Sequence, residues 1–417
     1  MPLRAVVAVY AGCWAFGLAA TVHGESVTLI HIDGAAIIGE WMGSPDGKTI
    51  EIKAAAAARS IPIDDLAAII WMKAVETDPI GDVGFHLFDG GYLSGVLVRG
   101  DSSHAAETIV AKTRLGSATK IPFAKLAAVR FHPVGTAPVA AELFRAALED
   151  RLSAHDVLVS RGDAMGKPPR SLRGTLIALD ESTGSFRFGD RTRKFRVAKM
   201  YGVVLAVGVD AAPSYPATIE FTDGSRISGE VVSANGDSVR LAASVGFDVD
   251  VALTDVARIT FRSERVVYIS DLTPTAERVE GRLHRPWPVR RDRSVAGGPL
   301  SIGGRTFEKG LGVHSRTELT YDLARAYQTF AATIGIDDSV GDRGSVVFRI
   351  LGDGVQRFAS GDVAGRHEGE SIIVDVSGVS ELTLLVEYGE GLDLSDHADW
   401  ADARLIQPPA DRTDPGR

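Results

Sequence analysis

One spacing of apolar residues occurs four times in the first two-thirds of the chain and limits its fold more than any other feature. The apolar side chains stand at offsets 0, 2, 5, 8 and 10 in Ile61, Ile63, Leu66, Ile69 and Trp71; Ile121, Phe123, Leu126, Val129 and Phe131; Phe195, Val197, Met200, Val203 and Leu205; and Val251, Leu253, Val256, Ile259 and Phe261. Two alternating runs around a short interruption are typical of a strand, a tight 3₁₀-like turn and a second strand. We therefore predict small β-sheet units in tandem. In each unit, the residue at offset 5 lies between the two strands and fills one end of the core.

A hairpin signal accompanies three of these four copies. Asp-Gly, followed by an apolar residue and a second glycine, occurs at 33–39, 89–95 and 223–229. Asp-Gly between alternating runs predicts a tight hairpin, because glycine accepts a positive φ. The third copy lacks this signal; it starts at Gly162-Asp163, and residues 165–170 resemble an insertion.

Each unit has the pattern of a small curled sheet of about five strands, near the usual size of a sheet. The pattern resembles SH3-like and Sm-like barrels, and the predicted units are 25–75, 84–133, 156–208 and 217–262. Such short units bury little core alone, so we expect the copies to pair or stack. A helix is predicted over 138–153, with Pro138 in its first turn and apolar residues at helical spacing. We interpret this helix as a spacer across the barrels; a partner-binding helix is the alternative.

The last third of the chain has a different pattern. Apolar residues alternate with polar ones in three runs that share an inward face: Val346, Phe348 and Ile350; Ile372, Val374 and Val376; Leu382, Leu384 and Val386. Gly and Asp turns separate these runs. Period-two runs between such turns predict an antiparallel β-sandwich.

Five motifs in this region occur in the order typical of one family. They are KGLGVHS at 309–315, YDL at 321–323, GIDDSVGDRGSVVFRI at 335–350, LGDG at 351–354 and DHADWADARL at 396–405. Over 266–407 the chain resembles the NPCBM family, whose name denotes a carbohydrate-binding module. The resemblance implies a galactose-binding-like jelly-roll β-sandwich. Members are usually appended to secreted glycosidases or exported proteins, and some bind galactose-type sugars.

The N-terminus predicts export. Arg4, an apolar stretch over 5–20 and small residues before Glu25 are typical of a secretory signal at 1–24; an uncleaved anchor or a buried strand is the alternative. Cys13 is the sole cysteine, so the mature chain would hold no disulfide and no cysteine nucleophile. We expect a periplasmic or secreted protein in a bacterial envelope. No transmembrane span is predicted beyond the signal, and the tail at 408–417 is expected to be disordered.

The charge balance argues against nucleic acid as a partner. The net charge is −9, whereas a general nucleic-acid binder needs a basic face for phosphates. A short basic loop with an aromatic residue surrounds Trp287. We interpret that loop as solvated, with contact to an anionic polymer as the alternative.

Candidate sugar-binding residues cluster in the family motifs. They are His314, Asp338, Arg343, His397, Asp399 and Trp400. Trp400 would stack under a sugar ring while His397 and an aspartate bind hydroxyl groups; the favoured alternative places Trp400 in the core. The most informative observation would be whether the loops holding His314, Asp338 and His397 form one open surface.

Three aspartates form a candidate metal site. Asp337, Asp338 and Asp342 lie within six residues, and calcium prefers oxygen ligands of this kind. Such a calcium would be structural, and the sequence indicates no other cofactor. The alternative is a turn in which the aspartates accept hydrogen bonds from backbone amides and pair with Arg343.

No catalytic motif is found in the sequence, which lacks GxSxG, HExxH and Walker patterns. We therefore expect an exported, non-catalytic protein. The resemblance implies that it recognises a glycan, and a galactose-type sugar is one candidate. The alternatives are an envelope scaffold whose barrel units bind a protein partner, and an accessory subunit of a glycosidase.

Overall fold

The computed structural model describes residues 25–55, 57–71, 73, 80–99, 108–133, 137–150, 155–162, 167–206, 214–281, 286–365, 368–390 and 395–409. The predicted signal peptide at 1–24, residues 151–153 of the predicted helix, residues 165–166, Arg285 and residues 410–417 of the predicted tail lie outside them. The chain divides into two compact units, whose main segments are Ala36–Arg262 and Ser263–Arg417. Within the described ranges, no helix has the length and apolar character needed to cross a lipid bilayer.

Most of the first unit consists of strands in four consecutive sets of five. The sets are β1 (Ser26–His31), β2 (Ala36–Gly43), β3 (Thr49–Ala54), β4 (Ala57–Pro62) and β5 (Leu66–Trp71); β6 (Val83–Leu87), β7 (Tyr92–Leu97), β8 (Thr108–Thr113), β9 (Gly116–Pro122) and β10 (Leu126–Arg130); β11 (Asp156–Ser160), β12 (Ser171–Leu179), β13 (Thr183–Phe188), β14 (Arg191–Arg196) and β15 (Met200–Val204); and β16 (Ala217–Phe221), β17 (Arg226–Ala234), β18 (Ser238–Ala243), β19 (Asp248–Ala252) and β20 (Val256–Phe261). In each set the fifth strand pairs with the first. The first strand pairs with the second, the second with the third, and the third with the fourth.

A 3₁₀ turn separates the fourth and fifth strands of every set. The turns are Ile63–Asp65, Phe123–Lys125, Val197–Lys199 and Leu253–Asp255. These are the positions that the apolar spacing predicts. The residue at offset 5 begins the fifth strand, and Leu66, Leu126 and Val256 are buried there. The third set has the same strand order without an Asp-Gly hairpin. The assignment of the sets to SH3-like or Sm-like barrels stays a prediction.

The sets join in pairs through their fifth strands. β5 pairs with β20 at Ile69 and Ile259, which links the first and fourth sets. β10 pairs with β15 at Val129 and Val203, which links the second and third sets. Because each short sheet buries little apolar surface alone, this pairing extends the hydrogen-bonded sheet and the core together.

The helix α1 (Pro138–Glu149) lies between the second and third sets in sequence and packs against both. The Phe144 ring lies 5.8 Å from His86 of β6 and 5.7 Å from Tyr201 of β15, measured between ring centroids. Gly202 allows this approach, since a Cβ there would lie 2.6 Å from the Phe144 ring. This packing is what we expect of a spacer helix.

The second unit contains two antiparallel sheets and a hairpin. Its strands are β21 (Val266–Tyr268), β22 (Ala276–Val279), β23 (Arg290–Arg291), β24 (Leu300–Ile302), β25 (Arg305–Phe307), β26 (Gly310–His314), β27 (Thr317–Asp322), β28 (Thr329–Ile336), β29 (Ser345–Gly352), β30 (Val355–Ala359), β31 (Val363–Ala364), β32 (Glu370–Asp375), β33 (Glu381–Tyr388) and β34 (His397–Ile406). One sheet has the order β23-β26-β34-β28-β32, with β21 also on β34. The other has the order β22-β27-β33-β29-β30, with β31 on β29.

The sandwich core confirms the predicted inward faces. All nine residues of the three alternating runs are buried in one hydrophobic cluster. Since strands with period-two alternation bury one face and expose the other, these runs bring the two sheets together. The all-β fold and the sandwich predicted for this part of the chain are confirmed.

Candidate functional site

Three strands of the first sandwich sheet bring the motif residues to one end. His314, the last residue of β26, is directly opposite His397, the first residue of β34. Ile336, the last residue of β28, is opposite Ala398 at the same end. Ala398 and Trp400 face the core, and the period of two therefore places His397 and Asp399 on the opposite face of the sheet.

Two glycines, Gly312 of the KGLGVHS motif and Gly335 at the end of β28, let a second layer of chain cover this opposite face. A Cβ at Gly312 would lie 2.4 Å from the carbonyl oxygen of Arg293, and one at Gly335 would lie 2.4 Å from the Ile302 side chain. Side chains at these positions would push the layer away. The segment before β26, including the β24–β25 hairpin, therefore packs directly on the sheet beside the two histidines.

Trp287, His314 and His397 form an aromatic cluster at this end of the sheet. The Trp287 indole is nearly parallel to the His314 imidazole, with an interplanar angle of 12° and ring centroids 5.5 Å apart. His397 lies 5.2 Å from Trp287 and 5.8 Å from His314 in tilted arrangements. Trp287 is 41% exposed and His314 is 5% exposed. The cluster is thus an exposed indole supported by a buried imidazole.

Hydrogen bonds fix the position of His314. Its Nδ1 is 2.6 Å from the carbonyl oxygen of Ser315, so Nδ1 carries the proton and donates it. The Ser315 hydroxyl donates to the Asp396 carboxylate over 2.5 Å. The other oxygen of Asp396 accepts from the backbone N–H of Ser345 at 3.1 Å. This chain of bonds ties the histidine to the start of β29.

His397 is partly buried and has a lowered pKa. Burial is the main cause of the lowered pKa, and the charges of His314 and Arg343 lower the pKa further. Asp337 and Asp396 act in the opposite direction and raise the pKa. The imidazole is therefore neutral at neutral pH, with one ring nitrogen as donor and the other as acceptor. Among the described residues, its Nδ1 has no hydrogen-bond partner.

Asp399 and Asp337 form a buried carboxyl pair behind the cluster. Asp399 is 0% exposed and Asp337 is 1% exposed. Burial raises the pKa of Asp399 to about 9, and the nearby carboxylate of Asp337 contributes to this shift. Asp337 accepts hydrogen bonds from the backbone N–H groups of Ser339 and Ser301. Among the described residues, both carboxyl oxygens of Asp399 are buried without a hydrogen-bond partner, and such a site favours the neutral form of the carboxyl group.

Asp338 closes the β24–β25 hairpin instead of joining the two histidines. Its carboxylate accepts hydrogen bonds from the backbone N–H groups of Gly303 and Gly304, each at 2.9 Å, and from the Ser301 hydroxyl. The structure thus brings together His314 and His397, and it adds Trp287. Asp338 holds the hairpin that covers the sheet, and Asp399 is buried in the sheet two residues after His397.

The family of the sandwich is decided by sequence comparison. Residues 265–406 match the NPCBM/NEW2 domain family. These residues are an NPCBM/NEW2 domain. The match covers a third of the chain and includes both the three strands that bring the motif residues together and the loop before β23 that carries Trp287.

Two curated relatives also share similarity with the chain. A protein of Renibacterium salmoninarum, named as an endo-alpha-N-acetylgalactosaminidase, is 29% identical over 187 residues, covering 42% of this chain and 12% of the relative. Alpha-1,3-galactosidase B of Akkermansia muciniphila is 30% identical over 118 residues, covering 27% of this chain and 15% of the relative. The chain therefore spans less than a sixth of either relative.

Solved modules from Clostridium perfringens are similar to a third of the chain. The CBM51 module of GH95, solved with methyl-galactose, is 26% identical to this chain. The similarity covers 34% of this chain and 99% of the solved module, with a TM-score of 0.32. A structure of the CBM51-2 and INT domains of ZmpB is 30% identical, covers 34% of this chain and 31% of its own, and has a TM-score of 0.31.

The three aspartates of the candidate calcium site have different surroundings in the NPCBM/NEW2 domain. Asp337 is buried against backbone amides, Asp338 binds the β24–β25 hairpin, and Asp342 is exposed. In the part of the chain that the structure describes, no group of three His, Cys, Asp or Glu side chains could hold a metal ion. The residues do not fit a shared ion as placed, and calcium stays a prediction.

Trp400 lies in the core of the NPCBM/NEW2 domain. It is 1% exposed and packs edge-on against Phe348, with ring centroids 4.9 Å apart, and against Phe330 at 6.1 Å. This is the core placement that the sequence favoured. Trp287 takes the exposed position instead, in the loop that the sequence predicts to be solvated. The sequence signal for an exposed Trp287 is the proline on either side of it, because prolines favour an extended backbone.

Asp399→Asn should make the stability of the NPCBM/NEW2 domain less dependent on pH. In the folded domain Asp399 stays protonated up to about pH 9, whereas an unfolded aspartate ionises near pH 4. The stabilisation from this raised pKa is fully present below about pH 4 and is lost as the pH rises to about 9. Asparagine cannot ionise, so the stability of the variant should increase relative to that of the unaltered chain as the pH rises.

Thermal unfolding at pH 5 and pH 8.5 measures this difference. The melting temperature of the unaltered chain should fall more between the two pH values than that of Asp399→Asn. The expected slope is at most about 1.4 kcal/mol per pH unit for one proton. Parallel melting profiles for the two proteins would show that Asp399 is ionised in the fold.

Proposed function

We propose that the NPCBM/NEW2 domain binds a glycan at the cluster of Trp287, His314 and His397. The observation that carries this proposal is the exposed Trp287 ring, held 12° from parallel on a buried histidine. The apolar face of a pyranose ring can stack on such a plane. Because the support fixes the indole before binding, little side-chain entropy is lost when the sugar arrives.

Polar groups beside the indole can bind sugar hydroxyl groups. Nδ1 of His397 is buried, which leaves Nε2 as the ring nitrogen that can bind a sugar hydroxyl, as donor or acceptor according to the tautomer. Arg343 is exposed and close enough for its charge to affect the His397 pKa, so its guanidinium can donate as well. Hydroxyl groups exchange water for these partners with a small net gain, and we therefore expect weak binding.

The binding we propose is non-covalent and involves no hydrolysis. The carboxyl groups of Asp337, Asp396 and Asp399 lie near the cluster, and all three are buried. A retaining or inverting glycosidase needs two carboxyl groups that reach opposite sides of the scissile bond. Carboxyl groups enclosed in the fold in this way would not reach a bound sugar.

We propose a galactose-type sugar as the ligand and an exported location for the chain. The two curated relatives carry the names of a galactosidase and an N-acetylgalactosaminidase, which supports galactose and N-acetylgalactosamine as first candidates. The charged and apolar segments at 1–24 support export. An exported protein would meet such sugars on polysaccharides and glycoproteins outside the cytoplasm.

Titration calorimetry of the whole chain with methyl galactoside, N-acetylgalactosamine and glucose tests this proposal. We expect saturable binding of at least one of the first two, with a dissociation constant of about 1 mM or lower, equivalent to ~4 kcal/mol, and weaker binding of glucose. No binding on a broad glycan array would contradict glycan recognition, and release of sugar from an aryl galactoside would contradict the non-catalytic function.

A further inference from the structure

The third set of strands carries an unusual density of positive charge. Its described residues, 155–162 and 167–206, contain ten lysines and arginines and four acidic residues, although the whole chain has a net charge of −9. Within β12, β13 and β14 there are six cations and no acidic side chain. They are Arg173, Arg187, Arg191, Arg193, Lys194 and Arg196, and all six are exposed.

The strand register places four of these cations on one face. Arg187 of β13 is opposite Thr175 of β12 and Thr192 of β14. Lys194 is opposite Ser185, and Arg196 is opposite Thr183. Arg173 stands two residues before Thr175 on the same side. Buried Phe186 and Phe195 occupy the other side. We call Arg173, Arg187, Lys194 and Arg196 the basic face. Neighbouring members lie two residues apart on one strand or diagonally across two strands, at about 7 to 8 Å.

These charges have no role in the described contacts of the fold. None of the four residues of the basic face forms an ion pair with another described residue. No acidic side chain on β12, β13 or β14 neutralises these cations. A surface of uncompensated positive charge attracts polyanions.

The fourth set is an internal comparison for the third. It has the same strand order, but its fourth strand carries Asp248 and Asp250, and Arg240 of β18 pairs with Asp248 at 3.4 Å. A set of this fold thus forms with acidic residues on its fourth strand. Folding does not require the cations of β14, and a binding role accounts for them better.

We propose that the basic face binds an anionic polysaccharide that carries carboxylate or sulfate groups. Arginine guanidinium groups bind such groups with two parallel hydrogen bonds. The face has no exposed aromatic ring on which nucleic-acid bases could stack, and Leu172 is its nearest exposed large apolar residue, too little for insertion into a lipid surface. The choice of a polysaccharide rests on the proposed function, because a glycan-binding, exported chain meets such polymers.

Binding of chondroitin sulfate to the whole chain tests the inference. The triple variant Arg187→Gln, Lys194→Gln, Arg196→Gln should bind at least tenfold more weakly than the unaltered chain. Binding of the unaltered chain should weaken steeply when salt rises from about 20 mM to about 500 mM. A control with the same loss of charge is Arg59→Gln, Lys112→Gln, Lys120→Gln, which changes exposed strand residues of the first two sets.

Equal loss in both triple variants would overturn the inference, since binding would then follow net charge alone. Binding to anionic phosphatidylglycerol vesicles or to oligothymidylate, with none to chondroitin sulfate or polygalacturonate, would also overturn it. Trp287→Ala should retain chondroitin sulfate binding, and the basic-face variant should retain galactose binding. The failure of either proposal is therefore distinguishable from the failure of the other.

Discussion

Trp400→Ala should unfold the NPCBM/NEW2 domain at a markedly lower temperature than the unaltered chain. Trp400 is fully buried between the two sheets and packs edge-on against Phe330 and Phe348. Truncating a buried tryptophan removes its apolar contacts and leaves a cavity, which costs about 3 to 5 kcal/mol. For a domain of this size, that corresponds to a fall of roughly 10 °C in melting temperature.

Differential scanning calorimetry of the whole chain measures this change. Trp400→Phe is the matched control, because it keeps an aromatic ring against Phe348 and should lose less than half as much stability. The strand sets before residue 263 form a separate compact unit, so their unfolding transition should stay where it is. A melting profile of Trp400→Ala that matches the unaltered chain would contradict the core placement.

Trp287→Ala should abolish most sugar binding without changing the stability of the domain. Trp287 is 41% exposed, so its removal leaves no cavity, while it takes away the plane on which the sugar stacks. Truncation of a central aromatic residue in a binding site commonly costs more than 1 kcal/mol. We expect at least a tenfold loss of affinity for the best-binding sugar, or about 1.4 kcal/mol.

Phe247→Ala is the control for the loss of an exposed aromatic ring. Phe247 is 37% exposed and lies in the turn between β18 and β19 of the strand sets. Its removal should leave the affinity for galactose-type sugars unchanged. Unaltered binding by Trp287→Ala, with a normal melting temperature, would show that the sugar binds at another surface.

Much of the architecture was predictable because the spacing of apolar residues in the sequence depends on which face of each strand is buried. Strands that bury one face place apolar residues at every second position, and the runs around Phe348 and Leu384 show this pattern clearly. The four 3₁₀ turns interrupt the alternation by the same number of residues each time. A repeated interruption is visible in sequence even where the Asp-Gly hairpin is missing, as in the third set.

Contacts between distant segments were not predictable. The fifth strands of all four sets have similar apolar patterns, so nothing local indicates that β5 pairs with β20 and β10 with β15. Trp287 comes about 110 residues before His397, and the pairing of β23 with β26 and of β26 with β34 explains their proximity. Asp338 and Asp342 are close in sequence, yet a 3₁₀ turn at Asp338–Val340 directs them apart.

The central claim is that sugar stacks on Trp287, and the indole N–H signals in a ¹H–¹⁵N spectrum test it most directly. Those signals can be assigned by single tryptophan replacements and followed as methyl galactoside or N-acetylgalactosamine is added. The account predicts a saturable shift of the Trp287 signal, while the signals of buried Trp41, Trp71 and Trp400 stay in place. A saturable shift at one of the buried tryptophans, with the Trp287 signal unmoved, would contradict it.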